Sequence, residues 1–106
     1  MKTKYSKKQI EEANKINALA HPARLSIVFF LLQHKQCVCN QIVNELPLAQ
    51  STVSQHLKVL KESGWLKGEI KGKNICYCLD KKNFLFLEKF AKELLFSFEE
   101  IKNCAC

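Results

Sequence analysis

The chain has 106 residues, 47% of them hydrophobic, with 17 Lys and Arg against 10 Asp and Glu and a formal net charge of +7. That is the length of one domain with apolar content for a modest core, and no apolar run approaches the ~20 residues of a membrane span. The charged start MKTKYSKKQIEE lacks the apolar segment of an export signal, so a cytoplasmic protein with a polyanionic partner is expected and a membrane role is not.

Met1 to Ala20 contains a first helix, with Ser6 as its cap and Ile10, Ala13, Ile16 and Ala20 on one side. His21-Pro22 ends it and starts the next, with proline at the first helical position. Ala23 to Gln33 is apolar on nearly every side after Arg24 and Ser26. A helix without a polar face is wrapped by others, so it is expected at the centre of the core. His34-Lys35-Gln36 reads as a turn. Cys37 to Glu45 reads as a third, short helix or its approach, with Ile42, Val43 and Leu46 facing the core.

Leu46-Pro47-Leu48 closes that segment, because proline lacks an N–H and fixes its own φ. A helix follows over about residues 51–63, with Ser51 as the expected N-cap and Gly64 as its C′ stop. Val53, Leu57 and Leu60 give it one apolar face, while Thr52, Gln55, His56 and Lys58 occupy the other. Side chains of that kind donate and accept at base edges and phosphates. A short helix, a tight turn and such a helix make a helix-turn-helix. An ordinary surface helix would show the same amphipathicity, so its neighbours carry the argument.

Those neighbours change period. Between Trp65 and Leu79, Leu66, Gly68 and Ile70 alternate with charged residues, Lys71-Gly72-Lys73-Asn74 turns, and Ile75, Tyr77 and Leu79 alternate again. This predicts a β-hairpin with a basic tip, so a winged helix-turn-helix: mainly α with a small hairpin. Lys71 and Lys73 suit phosphate contacts. A last helix is expected over about 81–102, with Phe84, Leu87, Ala91, Leu94, Phe98 and Ile101 in one stripe, widened by Phe86, Phe90 and Leu95. Its apolar surface exceeds what a small core needs, which predicts a homodimer through the first and last helices. Two-fold pairing would set the recognition helices ~34–36 Å apart. The tail, 103–106, holds two cysteines.

The six cysteines form three C-x-C pairs, Cys37/Cys39, Cys76/Cys78 and Cys104/Cys106, none with the C-x-x-C spacing of zinc ribbons or thioredoxin-like sites. With a core available and no export signal, reduced thiols are expected. Soft thiolates select soft ions. On a helix, i and i+2 do not face each other, so a shared ion at Cys37 and Cys39 would require the first turn to open, displacing the helix packed on it. A helix N-terminus would also favour their thiolates. Cys76 and Cys78 share a strand face opposite Ile75, Tyr77 and Leu79 and read as small half-buried residues. The three histidines are scattered and no phosphate-cradling glycine loop is present, so no enzyme is expected.

The order ALAHPARLSIVFFLL, CVC, STVSQHLKVLKESGWL and ICYCLD resembles the ArsR/SmtB family of metal-sensing winged-helix repressors, over nearly the whole chain. The resemblance implies a homodimer that holds double-stranded operator DNA when metal-free and releases it when metal binds. It places Ser51, Thr52, Ser54, Gln55 and His56, with Gln50 beside them, on the operator and Lys58, Lys71 and Lys73 on phosphates. Cys37 and Cys39 would be the primary ligands of arsenic(III) or antimony(III), with cadmium, lead or zinc as alternative effectors. This chain departs from the family at three places. The third cysteine of arsenic-responsive members is Ile42 here, the arm Met1 to Gln9 has no cysteine, and the last helix has no histidine. Further ligands must then come from Cys104 and Cys106, which could reach from a terminal segment, or from Cys76 and Cys78. Two other readings stand beside this one. A thiol-redox repressor on the same scaffold would need no third ligand. A thiol-rich metal carrier would bind no DNA.

Overall fold

Local capping chemistry sets the first two helices of the computed structural model, which describes residues 4–35, 37–39, 46–72 and 74–101. α1 spans Lys7–Leu19 and opens on a capping box: Gln9 N–H donates to Ser6 Oγ and Ser6 N–H donates to Gln9 Oε1, which satisfies amide donors the helix leaves without partners. His21 caps α2, Pro22–His34, by accepting from Ala23 N–H at 3.0 Å, and Pro22 occupies a first-turn position where no donor is missed. The two helices meet at a bend of 79°, and among the described residues no single helix is long and apolar enough to cross a membrane.

α2 is not wrapped on all sides. Ile27, Val28 and Leu31 enter the core, but Leu25, Phe29 and Leu32 lie on an open face, Phe29 58% exposed. Its uniformly apolar composition hid that division. Lys35 ends α2 in the left-handed region, at φ 58°, which costs an ordinary side chain roughly 1–2 kcal/mol.

α3 spans Gln50–Glu62. Ala49 stands at the N-cap with no side-chain hydrogen bond, and Ser51 falls one turn-position inside the helix, so the expected serine cap is corrected. Val53, Leu57 and Leu60 are buried as one stripe. The C-terminus is a Schellman motif: Trp65 N–H donates to Leu60 C=O at 2.9 Å and Gly64 N–H to Lys61 C=O at 3.2 Å. Gly64 sits at φ +93°, and a Cβ there would stand 3.2 Å from Asn83 Oδ1, so conformation and space both demand glycine.

Among the described residues the sheet has three antiparallel strands, ordered β1-β3-β2: β1 Val38–Cys39, β2 Leu66–Lys71 and β3 Asn74–Leu79. β2 and β3 form the expected hairpin, turning at Gly72 with φ +63°. Its base is in the core through Leu66, while its tip stands in solvent, where Ile70 is 82% exposed. β1 differs from expectation. Residues 38–39 are strand rather than helix start, because β3 supplies an edge for them to pair with. The expected helix over 40–45, together with Lys73, Cys104 and Cys106, lies outside the described residues.

α4 spans Lys81–Glu99, capped by Asp80 Oδ1, which accepts from Lys82 N–H at 3.0 Å. Its first turns join the core. Phe84 meets Trp65 edge-on at 5.4 Å between ring centroids, and Asn83, fully buried, donates from Nδ2 to Ser63 C=O at 2.9 Å. Trp65 is also fully buried, and its Nε1–H donates to Lys15 C=O of α1 at 2.8 Å. From Ala91 onward α4 is exposed, including Leu94, Leu95, Phe96 and Phe98. The whole is a winged helix in which α3, the hairpin and the start of α4 are tied at Gly64 and Trp65.

Candidate nucleic-acid interface and cysteine cluster

With Val53, Leu57 and Leu60 turned inward, helical geometry leaves the rest of α3 at the surface. Ser51, Ser54, Gln55 and Lys58 are exposed; Thr52 and His56 are half-buried. The structure therefore puts these sequence-predicted residues on one helix, with their polar groups outside the core. The side chains of Gln50 and Lys71 lie outside the described ones. Lys58 pairs with Glu62 at 3.9 Å, both largely exposed; an ion pair of this kind contributes under about 1 kcal/mol and leaves the ammonium available.

His56 is the constrained member of this set. Its Nδ1 accepts from Arg24 Nε–H at 3.2 Å, and its ring centre lies 4.5 Å from that of His21. Accepting at Nδ1 assigns the proton of the neutral ring to Nε2, so His56 is set as a donor on its other edge. Arg24 in turn donates from its Nη1 to Ala18 C=O at 3.1 Å. Burial, then the charges of His21 and Arg24, hold the His56 pKa below its ordinary 6.5. The unfolded chain thus binds this proton more readily than the folded one. The resulting stability is fully present above pH 6.5 and is lost as pH falls through the depressed folded value. Urea midpoints measured between pH 8 and pH 5 are expected to fall with acid in the parent protein and to fall less in His56→Gln. Equal slopes would contradict this account.

Sequence reasoning passed over Arg24 and Lys61. Arg24 is the single arginine of the chain, a cue to a role that the sixteen lysines do not share, because only its planar fork can hold His56 and a carbonyl together. Lys61 lies across β2: a Cβ on Gly68 would stand 3.1 Å from Lys61 Nζ. That glycine leaves room for a basic side chain between α3 and the hairpin.

The cysteines are arranged differently from the expectation. Cys37 is bonded to Cys78 and Cys39 to Cys76, with Cα–Cα separations of 4.3 Å and 3.8 Å. They are cystines rather than reduced thiols, so Cys76 and Cys78 are partners of the first pair rather than strand filler. The opening of a helix turn is also unnecessary: on a strand, i and i+2 already share a face. The helix-terminus argument for their acidity falls with it. Accessibility is uneven. Cys37 is exposed, Cys39 and Cys78 are half-buried, and Cys76 is 2% exposed. The outer bond, Cys37–Cys78, opens onto a cleft lined by Leu31, Leu32, Lys35 and Leu79.

Residues 21–67, from the cap of α2 to the second residue of β2, match the family described as bacterial regulatory protein, arsR family. The HTH-type transcriptional repressor SmtB of Mycobacterium tuberculosis is 42% identical over 64 residues, 60% of this chain and 47% of that protein. A cadmium resistance transcriptional regulatory protein CadC homolog of Staphylococcus aureus is 32% identical over 75 residues, 70% of this chain and 61% of that protein. The chain therefore spans about half the length of the curated relatives it matches. The crystal structure of the transcriptional repressor PagR of Bacillus anthracis superposes with a TM-score of 0.59 at 36% identity, covering 69% of this chain and 83% of that one. Matched through its helix-turn-helix and similar in fold and sequence to a solved repressor across most of the latter's length, the chain belongs to the arsR family of bacterial regulatory proteins.

Proposed function

We propose that this protein is a dimeric, cytoplasmic transcriptional repressor that holds operator DNA through α3 and the hairpin and releases it when its β1 thiols react. The observation that carries the DNA reading is the division of α3, with Val53, Leu57 and Leu60 buried and Ser51, Ser54, Gln55 and Lys58 exposed beside a basic hairpin. Thr52 and His56 stand at the flank of that face. Net charge of +7 supports a polyanion partner. The bare apolar end of α4 supports pairing with a second copy, since Leu94, Leu95, Phe96, Phe98 and Ile101 are each more than half exposed.

The effector reading rests on Cys37 and Cys39, whose sulfurs share a face and suit soft ions when reduced. Arsenite or antimonite is the first choice and cadmium, lead or zinc the alternative, one relative being named for cadmium resistance. The cystines favour a second reading, in which oxidation itself is the signal. Two thiols and one hydrogen peroxide give one cystine and two waters.

Operator binding by fluorescence anisotropy tests both halves. Affinity should fall steeply with salt. Gln55→Ala should weaken binding about 10- to 100-fold, the ~1–3 kcal/mol of a base contact. Arsenite should release DNA from the reduced parent and not from Cys37→Ser or Cys39→Ser. Release by peroxide alone, reversed by dithiothreitol, would select the redox reading. Binding without salt dependence would remove the DNA role.

A further inference from the structure

The antiparallel register pairs Cys39 with Cys76 and Val38 with Tyr77, and continues to Cys37 opposite Cys78. Alternation then sorts the side chains. Val38, 1% exposed, enters the core, so Cys37 and Cys39 rise from the opposite face of the ladder. Four sulfurs occupy the two rungs on either side of Val38–Tyr77, two from Cys39 of β1 and the adjoining Cys37 and two from the wing strand β3.

Neither of the plain explanations covers this grid. A cysteine kept as a small core hydrophobe belongs inside, yet three of the four are half-buried or exposed. One cystine would already clip β1 to β3, and a second two rungs away closes a far smaller additional loop, where the stabilisation is least. Four thiols at one place are, in contrast, the donor set that soft divalent cations take, at tetrahedral sites built wholly of sulfur.

We infer that Cys37, Cys39, Cys76 and Cys78, once reduced, form one four-thiolate site for a single soft divalent cation, with the wing strand supplying half of its ligands. This rests on the reading of Cys37 and Cys39 as effector-responsive thiols and gives them their missing partners. The two states of the grid exclude each other. In the cystine state, among the described residues, no group of three or more metal-binding side chains stands ready. A dithiol reductant supplies two electrons and two protons to each cystine and is itself oxidised to a disulfide. The four thiols so formed lose their protons to solvent as the cation binds. Lys67 pairs with Cys78 and Glu69 with Cys76 across the β2–β3 ladder, and Lys35 lines the cleft with Cys37 and Cys78, so two positive groups and one negative group stand beside the site.

The test uses the full chain carrying Cys104→Ser and Cys106→Ser, reduced and handled without oxygen, with cadmium as the probe. The thiolate-to-metal ultraviolet band should saturate at one cadmium per chain, and thiols open to a thiol reagent should drop from four to none. Cys76→Ser and Cys78→Ser should each weaken cadmium at least as much as Cys37→Ser does. The loss should be about ten-fold or more, since even an outer-shell partner of a ligand is worth that. The peroxide-treated protein should bind no cadmium until reduced. A drop of only two thiols in the unsubstituted grid overturns the inference without any variant having to fold. If Cys76→Ser and Cys78→Ser bind as tightly as their parent while Cys37→Ser and Cys39→Ser do not, the wing has no part and the β1 thiols alone remain the effector site. If none of the four substitutions matters, the effector reading of Cys37 and Cys39 falls as well.

Discussion

Trp65→Ala should leave little folded protein at 37 °C. Trp65 is fully buried, its ring packs edge-on against Phe84, and its Nε1–H reaches Lys15 C=O at 2.8 Å. Truncating a buried tryptophan costs about 3–5 kcal/mol, against a total of roughly 5–15 kcal/mol for a domain of this kind. The backbone of the same residue closes the Schellman motif of α3 and accepts from Asp80 N–H at the start of α4, bonds that alanine keeps, so the cost is that of the side chain. Trp65→Phe separates the parts. It keeps most of the apolar area and removes the bond from Nε1–H to Lys15 C=O, so about 1–2 kcal/mol should be lost. Urea titrations followed by far-ultraviolet circular dichroism are the measurement, since this is the sole tryptophan and its fluorescence goes with it. A cost below about 1 kcal/mol for Trp65→Ala would contradict the packing described.

Reducing both cystines should cost nearly as much, and removing one of them far less. Cys37–Cys78 spans 41 residues and Cys39–Cys76 spans 37. In the chain-entropy account, closing either loop is worth roughly 4 kcal/mol, but whichever cystine survives still closes nearly the same loop. Cys37→Ser/Cys78→Ser should therefore shift the oxidised urea midpoint modestly, whereas dithiothreitol applied to the parent should remove most of that ~4 kcal/mol. The two cystines are redundant in this respect, and their effects are strongly non-additive. Equal, additive losses from the two bonds would mean that they restrain separate parts of the unfolded chain.

What could be seen in the sequence was what depends on neighbours in the chain. The cap at Ser6, the break at His21-Pro22, the stop at Gly64 and the hairpin turning at Gly72 are each specified within a few residues. What escaped depends on residues that meet only on folding. β1 is two residues long and exists because β3 lies beside it. The cystines follow from that register, so the cysteines could be counted but not paired. Arg24 and His56 are 32 positions apart. The open side of α2 escaped for a different reason: Leu25, Phe29 and Leu32 are as apolar as the buried Ile27, Val28 and Leu31, and composition cannot tell one side from the other. Asn83 did carry a signal, as the one polar side chain in the run Asn83-Phe84-Leu85-Phe86-Leu87. Its purpose needed the carbonyl of Ser63 to be seen.

That amide joins the end of α3 to the start of α4. Asn83 grips the last turn of α3 from the first turn of α4, and Gly64 passes so close beneath it that even a methyl group would crowd it. α4 continues for sixteen residues from Asn83 to Glu99, a shaft roughly 24 Å long. A tilt forced on the far end at Phe98 would be passed to α3 through this hydrogen bond and the Phe84–Trp65 ring contact. Whatever body α4 leans against therefore holds a lever on the pitch of the polar edge of α3.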